Sequence, residues 1–321
     1  MHRLRNTTPF PAGIDIFPDL DGVDTLYVTL KATFTLGPAL AVAELQPKIH
    51  SVDEYSGEPG RSSLRHPGER HLACPGTAIV VLGSAHAPRP VSTLDVSLAV
   101  ADVRKTVRVH GDRRWQRGSA SAPVPFTTMP LTHERALGGP DDPRNPVGVG
   151  LRGDRDPGAQ LGEPLPNLED PRRPYLEHGD RSPPACFAPI APHWSPRREL
   201  AGTHDDAWRR HRAPYMPVDC DPRHFHAAPP DQISREALRG GEALELYNAS
   251  LEPLRLALPI CAWAVTATIA GVDHPLAPHL ETVRLEPDAG RLGMLWRAAL
   301  GVDRRALQID EVRVELRELR T

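Results

Sequence analysis

Five side chains able to ligate metal or move protons crowd one short stretch: Asp219, Cys220, Asp221, His224 and His226. On an extended backbone His224 and His226 project to one side, and a nearby thiolate could complete a zinc site. His204, Asp205 and Asp206 lie just upstream and extend the set. The motif HExxH is missing, and the surrounding prolines restrict how these groups converge. The competing reading is a structural loop whose acids cap turns and whose histidines are solvated. A metal-dependent or unrecognised hydrolase built on Asp219–His226 is the enzyme alternative; the leading expectation is no metal, no cofactor and no enzyme.

Other chemistry is thinner. LGSAHAP, from Leu82 to Pro88, lacks the second glycine of a nucleophile elbow, although Ser84 and His86 share a strand face. No phosphate-binding glycine loop or dinucleotide fingerprint is present. HGDRRW, His110 to Trp115, sets Asp112 beside two arginines, which suggests a local salt bridge or a cation–π contact. The carboxylates of LEDP, Leu168 to Pro171, are placed to start a turn.

The same stretch that holds the histidines is stiffened throughout. Pro214, Pro217, Pro222, Pro229 and Pro230 lock their own φ and push the preceding residues toward extended backbone. Ala213–Gln232 therefore reads as an ordered loop laid across a surface, where binding residues commonly sit. Tyr215, Asp219, Asp221, Arg223, Phe225, Pro229, Pro230, Asp231 and Gln232 are its candidate partner-binding residues. An internal role stays open beside this, with Pro229 to Gln232 docking the loop onto the core.

The elements that must carry this loop are mainly strands. Leu26, Val28, Leu30, Ala32, Phe34 and Leu36 alternate with Thr25, Tyr27, Thr29, Lys31, Thr33 and Thr35, predicting a long half-buried strand. Asp21-Gly22 predicts a hairpin turn back to Ile14–Phe17. Thr77–Leu82 reads as a fully buried strand, and Leu94–Val100 and Val107–Val109 as strands about a turn at Ala101-Asp102. Ala243–Tyr247, Leu254–Leu258, Trp263–Ile269, Thr282–Leu285, Arg291–Trp296 and Val312–Leu316 follow, the last with one wet face.

Half of the 36 prolines fall between Gly138 and Asp231, with little periodicity. Phe187, Trp194, Trp208, Tyr215 and Phe225 are anchors that a disordered linker rarely keeps, so the region is expected to be irregular but ordered. Short helices are predicted at Asp205–Arg212, capped by Thr203, and at Ile233–Arg239, stopped by Gly240-Gly241. The expectation is a mainly β protein with antiparallel, sandwich-like lobes at 1–137 and 233–321, joined by a Pro-rich wrap at 138–232. One continuous domain is the alternative.

Composition excludes some roles. A net charge of −3 and a pI near 6.6 offer no concentrated basic surface for nucleic acid. No run of apolar residues is long enough to span a bilayer as a helix, and no apolar core follows the arginines of MHRLRNTTPFPAG, so neither a membrane span nor a secretory signal is expected. Cys74, Cys186, Cys220 and Cys261 are isolated, which fits buried reduced thiols in a cytoplasmic protein.

Several blocks in fixed order carry a family resemblance. They include NTTPFPAG, TLYVTLKATFTL, IVVLGSAHAP, TLDVSLAVADVRKTVRVHGDRRW, MPLTHERALGG, LPNLEDP, AGTHDDAW, PYMPVDCDPRHFHAAPPDQ and LRGGEALEL. Together they resemble a domain-of-unknown-function family encoded beside type VI secretion genes for spike proteins and effectors. The resemblance implies a cytoplasmic adaptor or chaperone that binds a secreted effector and assists its loading onto the spike complex. The partners implied are that effector and spike proteins of the VgrG/PAAR type; a structural spike-associated component is a further alternative. The chain departs from the family at Cys74 and Ala78 in ACPGTA, and at Cys220, His224 and His226, where relatives favour aromatic and amide residues.

Overall fold

The computed structural model describes residues 3–116, 119–151, 161–175 and 181–321. Its centre is a sheet in the order Ile233–Ser234, Thr77–Val81, His279–Glu286, Arg291–Gly301, Asp24–Thr35, Ala12–Pro18. The hairpin predicted at Asp21-Gly22 forms, with Gly22 at φ +85° and Ile14 opposite Val28. Arg291–Gly301 lies antiparallel on Asp24–Thr35 from Arg291 opposite Thr35 to Gly301 opposite Thr25.

Strands from both ends of the chain share these sheets. Thr77–Val81 runs parallel to His279–Glu286. Arg3–Asn6 runs parallel to the last strand, Ile309–Arg320, at the edge of a second sheet completed by Ile260–Ile269 and Val272–Leu276. A third sheet places Ala243–Tyr247 beside Thr93–Val100, followed by Val103–His110 and Leu168–Glu169, with Leu254–Ala257 at the opposite edge. The boundaries at 137 and 232 thus cut across shared sheets, and one apolar cluster runs from Phe10 through Val107, Phe187 and Leu246 to Val314. Parallel pairings accompany the expected antiparallel ones, because the long connections return strands to the sheet in either direction.

The central strand departs from the expectation of a half-buried element. Asp24–Thr35 is buried on both faces, including Thr25, Thr29, Lys31 and Thr33. Residues 43–76 form an irregular strap over its polar face. Gln46 pairs with both backbone groups of Thr33, at 2.9 Å and 2.8 Å, and Lys31 reaches Glu69 at 2.8 Å. Alternation tells which side chains share a face, and a polar face can be sealed by polar partners as well as by water.

The described part of the Pro-rich segment is ordered without being regular. Phe187 and Trp194 are fully buried. Its α-helix is Asp206–His211, capped by Asp205, whose carboxylate accepts from Trp208 N at 2.7 Å. The predicted cap, Thr203, instead bonds Asp219. The helix predicted at Ile233–Arg239 is absent: Ile233–Ser234 pairs with the edge strand at Ala78 and Thr77, and Leu238 N donates to Thr77 Oγ1 at 2.8 Å. Tertiary pairing outweighs the local signal there. The four cysteines are free and buried. Among the described residues no helix is long and apolar enough to cross a membrane.

Candidate functional site

Under the strap, the polar face of the central sheet gathers an ionic layer. Arg297, fully buried at 0% side-chain exposure, meets Glu281 at 1%. Its Nε donates to Glu281 Oε2 at 2.8 Å, Nη1 to Thr29 Oγ1 at 2.8 Å and Nη2 to Glu69 O at 2.7 Å. Glu281 and Arg297 come from adjacent strands whose register shifts between Leu280 and Thr282, while Glu69 and His71 come from the strap. Burial alone would raise the Glu281 carboxyl, but Arg297 and then His71 outweigh it and hold it below its usual range.

His71, Cys74 and Glu281 place potential ligand atoms within 4.8 Å of one another, the one such group of three among the described residues. Their arrangement is that of an ion pair and its neighbours. Arg297 already supplies the positive charge, with Nη2 3.3 Å from His71 Nε2. His71 Nδ1 donates to Leu72 O at 2.7 Å, which leaves Nε2 as the acceptor for that guanidinium. Burial pushes the Cys74 thiol well up, so the thiolate a metal or an electrophile needs is disfavoured.

The loop singled out by its prolines lies against this layer. Phe225 stacks on His71, with ring centroids 5.3 Å apart. His226 Nε2 lies 2.7 Å from Pro75 O, and His224 Nδ1 lies 2.8 Å from Arg197 O. These two histidines therefore turn to different carbonyls. The extended backbone expected to align them is replaced by a 3-10 turn, Pro222–Phe225, which Asp221 caps through Arg223 N. Cys220 is buried and its thiol is also raised by burial. The cluster Asp219, Cys220, Asp221, His224 and His226 is not brought together as a ligand set, nor do His204, Asp205 and Asp206 join it.

The loop has an inner and an outer side. Gln232 is completely buried, and its Nε2 donates to Ile79 O at 2.7 Å and Phe187 O at 3.1 Å. Pro229 is buried, while Pro230 and Asp231 reach the surface. Asp231 pairs at 2.9 Å with Lys105, whose side chain is only 8% exposed and which also donates to Cys186 O. Removing Asp231 would strand that buried ammonium, so this residue also holds the loop down. Facing outward are Tyr215, Val218, Asp219 and Arg223, with Val218 77% exposed. Asp219 accepts from Thr203 N and Oγ1, and Arg223 pairs with Asp221.

The remaining sequence candidates resolve differently. His86 Nε2 turns to Asp288 at 2.7 Å, and no hydrogen bond joins it to Ser84. Asp112 pairs with Arg135, not with its neighbours, whereas Arg113 is taken by Glu169. Glu169 of LEDP thus anchors a network, and Asp170 starts the expected turn by accepting from Arg172 N. Burial would raise Glu169, yet His110 and Arg113 bring it down to about 2. The ionic layer itself escaped sequence reasoning. The charges at Glu69, Glu281 and Arg297 belong to no local motif, and only the buried register of the strands joins them.

A mainly β scaffold carrying a sealed ionic layer and a stapled Pro-rich loop is the class of protein these features define. Residues 21–297 match the family described as an uncharacterized protein conserved in bacteria, DUF2169, and the chain belongs to that family. No curated protein and no solved structure matches it.

Two outcomes follow from the layer. Arg297→Leu leaves Glu281 charged and unpaired, and should cost about 3–5 kcal/mol in urea unfolding. Arg297→Met combined with Glu281→Leu should recover more than half of that loss; no recovery would show that the pair is not the source. The second outcome concerns acid. Burial pushes His71 and His133 down to about 4, and burial with Arg284 takes His66 to about 3, all from 6.5. The folded state keeps them neutral while the unfolded chain takes up protons. Their stabilising effect is therefore full above pH 6.5 and is lost as pH falls toward 4 and then 3. His71 and His133 together should steepen the loss by roughly 2–3 kcal/mol per pH unit inside that window. A urea midpoint that stays constant from pH 7 to pH 4 would contradict this.

Proposed function

We propose that this chain is an adaptor or chaperone that binds a type VI secretion effector in the cytoplasm and assists its loading onto the spike complex, without catalytic turnover. The link to secretion comes from the sequence resemblance. The observation that supports a binding role is the fixed loop Ala213–Gln232. It is held from beneath by Gln232, by the Asp231–Lys105 pair, by His226 on Pro75 O and by Arg197, whose Nε donates to His224 O at 2.9 Å. With its inner side committed to the scaffold, the loop presents Tyr215, Val218, Asp219 and Arg223 in a set geometry. A surface ordered beforehand loses less conformational entropy on association. Cys74 and Cys220 are both buried and both raised, which disfavours a thiolate nucleophile at either position.

Co-purification with the effector encoded beside the gene tests this reading. Tyr215→Ala combined with Val218→Asp should reduce capture tenfold or more at unchanged melting temperature, because neither side chain supports the core. Undiminished capture by that variant, or no capture by the wild-type chain, would overturn the assignment of this face.

A further inference from the structure

A second face of the molecule carries a built cleft. The turn after Val103–His110 brings Arg113 and Arg114 toward Glu134 and Arg135, and Pro164, Leu165 and Asn167 close the other wall. The cleft encloses about 290 Å³. Arg113 is one-tenth exposed and is fixed by Glu169 and by Pro166 O, which accepts from its Nη2 at 2.7 Å. Its Nε has no hydrogen-bond partner among the described residues. Arg135 Nη1 donates to Asp112 Oδ1 at 2.9 Å and to Asn167 Oδ1 at 3.0 Å. Arg114 is exposed and, among the described residues, spends only Nη1, on Gly162 O at 2.6 Å.

Donors and acceptors around this cleft are out of balance. Both oxygens of Glu134 are occupied by Ser63, through N and Oγ, each at 2.7 Å. Asp112 Oδ1 accepts from both Arg135 and Asn167. The guanidinium groups keep N–H donors with no acceptor among the described residues: Nε and Nη2 of Arg114, Nε and Nη2 of Arg135, and Nε of Arg113. A ligand that displaces water from these donors must therefore bring acceptors. Arg113 is paired with Glu169 and Arg135 with Asp112, so among the described residues Arg114 is the guanidinium of the lining with no carboxylate partner. That balance suits a single negative charge and disfavours a phosphate dianion. Planar guanidinium forks match a carboxylate in shape as well as charge.

We propose that this cleft is a carboxylate-binding site, seated on Arg114 and Arg135 and held in shape by the buried Arg113–Glu169 pair. The carboxylate is that of an acidic side chain on a bound protein segment or of a small free carboxylic acid. This site is separate from the loop Ala213–Gln232 and does not depend on the function proposed for it.

NMR titration of the full chain at low ionic strength tests the site, with probes taken into the millimolar range. The probes are a capped Gly-Glu-Gly peptide, its Gly-Gln-Gly counterpart, glutarate and inorganic phosphate. Saturable shifts at the Arg114 and Arg135 side chains are expected with the Glu peptide or glutarate, at least tenfold weaker with the Gln peptide. Tighter binding of the peptide would assign the carboxylate to a protein segment, and tighter binding of glutarate to a small acid; both support the site. Arg114→Ala should lower the affinity at least tenfold at unchanged melting temperature, and Arg114→Lys should restore only part of it. The proposal fails if Glu and Gln peptides bind alike, if neither carboxylate saturates, if phosphate binds more tightly than both, or if Arg114→Ala binds as the wild type does.

Discussion

The structure depends on burying a charged face beneath partners drawn from elsewhere in the chain. The strands His279–Glu286, Arg291–Gly301 and Asp24–Thr35 give one face of the central sheet to aliphatic packing. The other face carries Glu281, Arg284, Arg297, Thr29, Lys31 and Thr33. A charge removed from water without a partner costs several kcal/mol, so this face must be either open to solvent or covered by matching groups. The strap 43–76 supplies the match: Glu69 for Lys31, Gln46 for Thr33, and His66 for Arg284, whose Nη1 donates to His66 Nδ1 at 2.7 Å. An ion pair of this kind adds little net stability over apolar packing, but a register that separated the partners would leave a buried charge unpaired at a cost of several kcal/mol.

That specificity carries outward to the loop proposed to bind. His71 belongs to the layer and stacks on Phe225, while Pro75, at the end of the strap, receives His226. On the other flank Gln232 and Asp231 tie the loop to Ile79, Phe187 and Lys105. The last part of the loop, from Phe225 to Gln232, is thus fastened to the core by these contacts. Prolines reduce what the unfolded loop can explore, and these staples select one of the remaining conformations. A carboxylate cleft beyond the strand Val103–His110 would add a second, chemically different contact to the same chain.

Much of the β architecture was legible in the residues. Thr25–Leu36 alternates strictly and forms the strand, Asp21-Gly22 makes its hairpin, and Thr77–Val81 is buried throughout as its unbroken apolar run requires. What the alternation could not report is that Thr29 and Lys31 face a sealed polar layer. Their partners, Arg297 and Glu69, stand 268 and 38 residues away. The histidine cluster was misleading for a local reason: Asp221 and Pro222 start a 3-10 turn, and this separates His224 from His226. Ile233–Arg239 has a helical ending in Gly240-Gly241, yet an open sheet edge at Thr77 and Ala78 claims its first residues. The inner and outer sides of the APPDQ segment were equally invisible, since Gln232 and Asp231 are adjacent in sequence and opposite in exposure.

Hydrogen exchange followed by mass spectrometry addresses the unity of strap, sheet and loop most directly. The amides of His50, Gly68 and Glu69 are bonded across the strap, that of Ser63 to Glu134, and those of His224, His226 and Gln232 within the loop. If the ionic layer makes these segments part of the core, their slowest amides should exchange together with Asp24–Thr35, at the free energy of global unfolding. Exchange of the strap or the loop within seconds, while the central strand stays protected, would contradict the account.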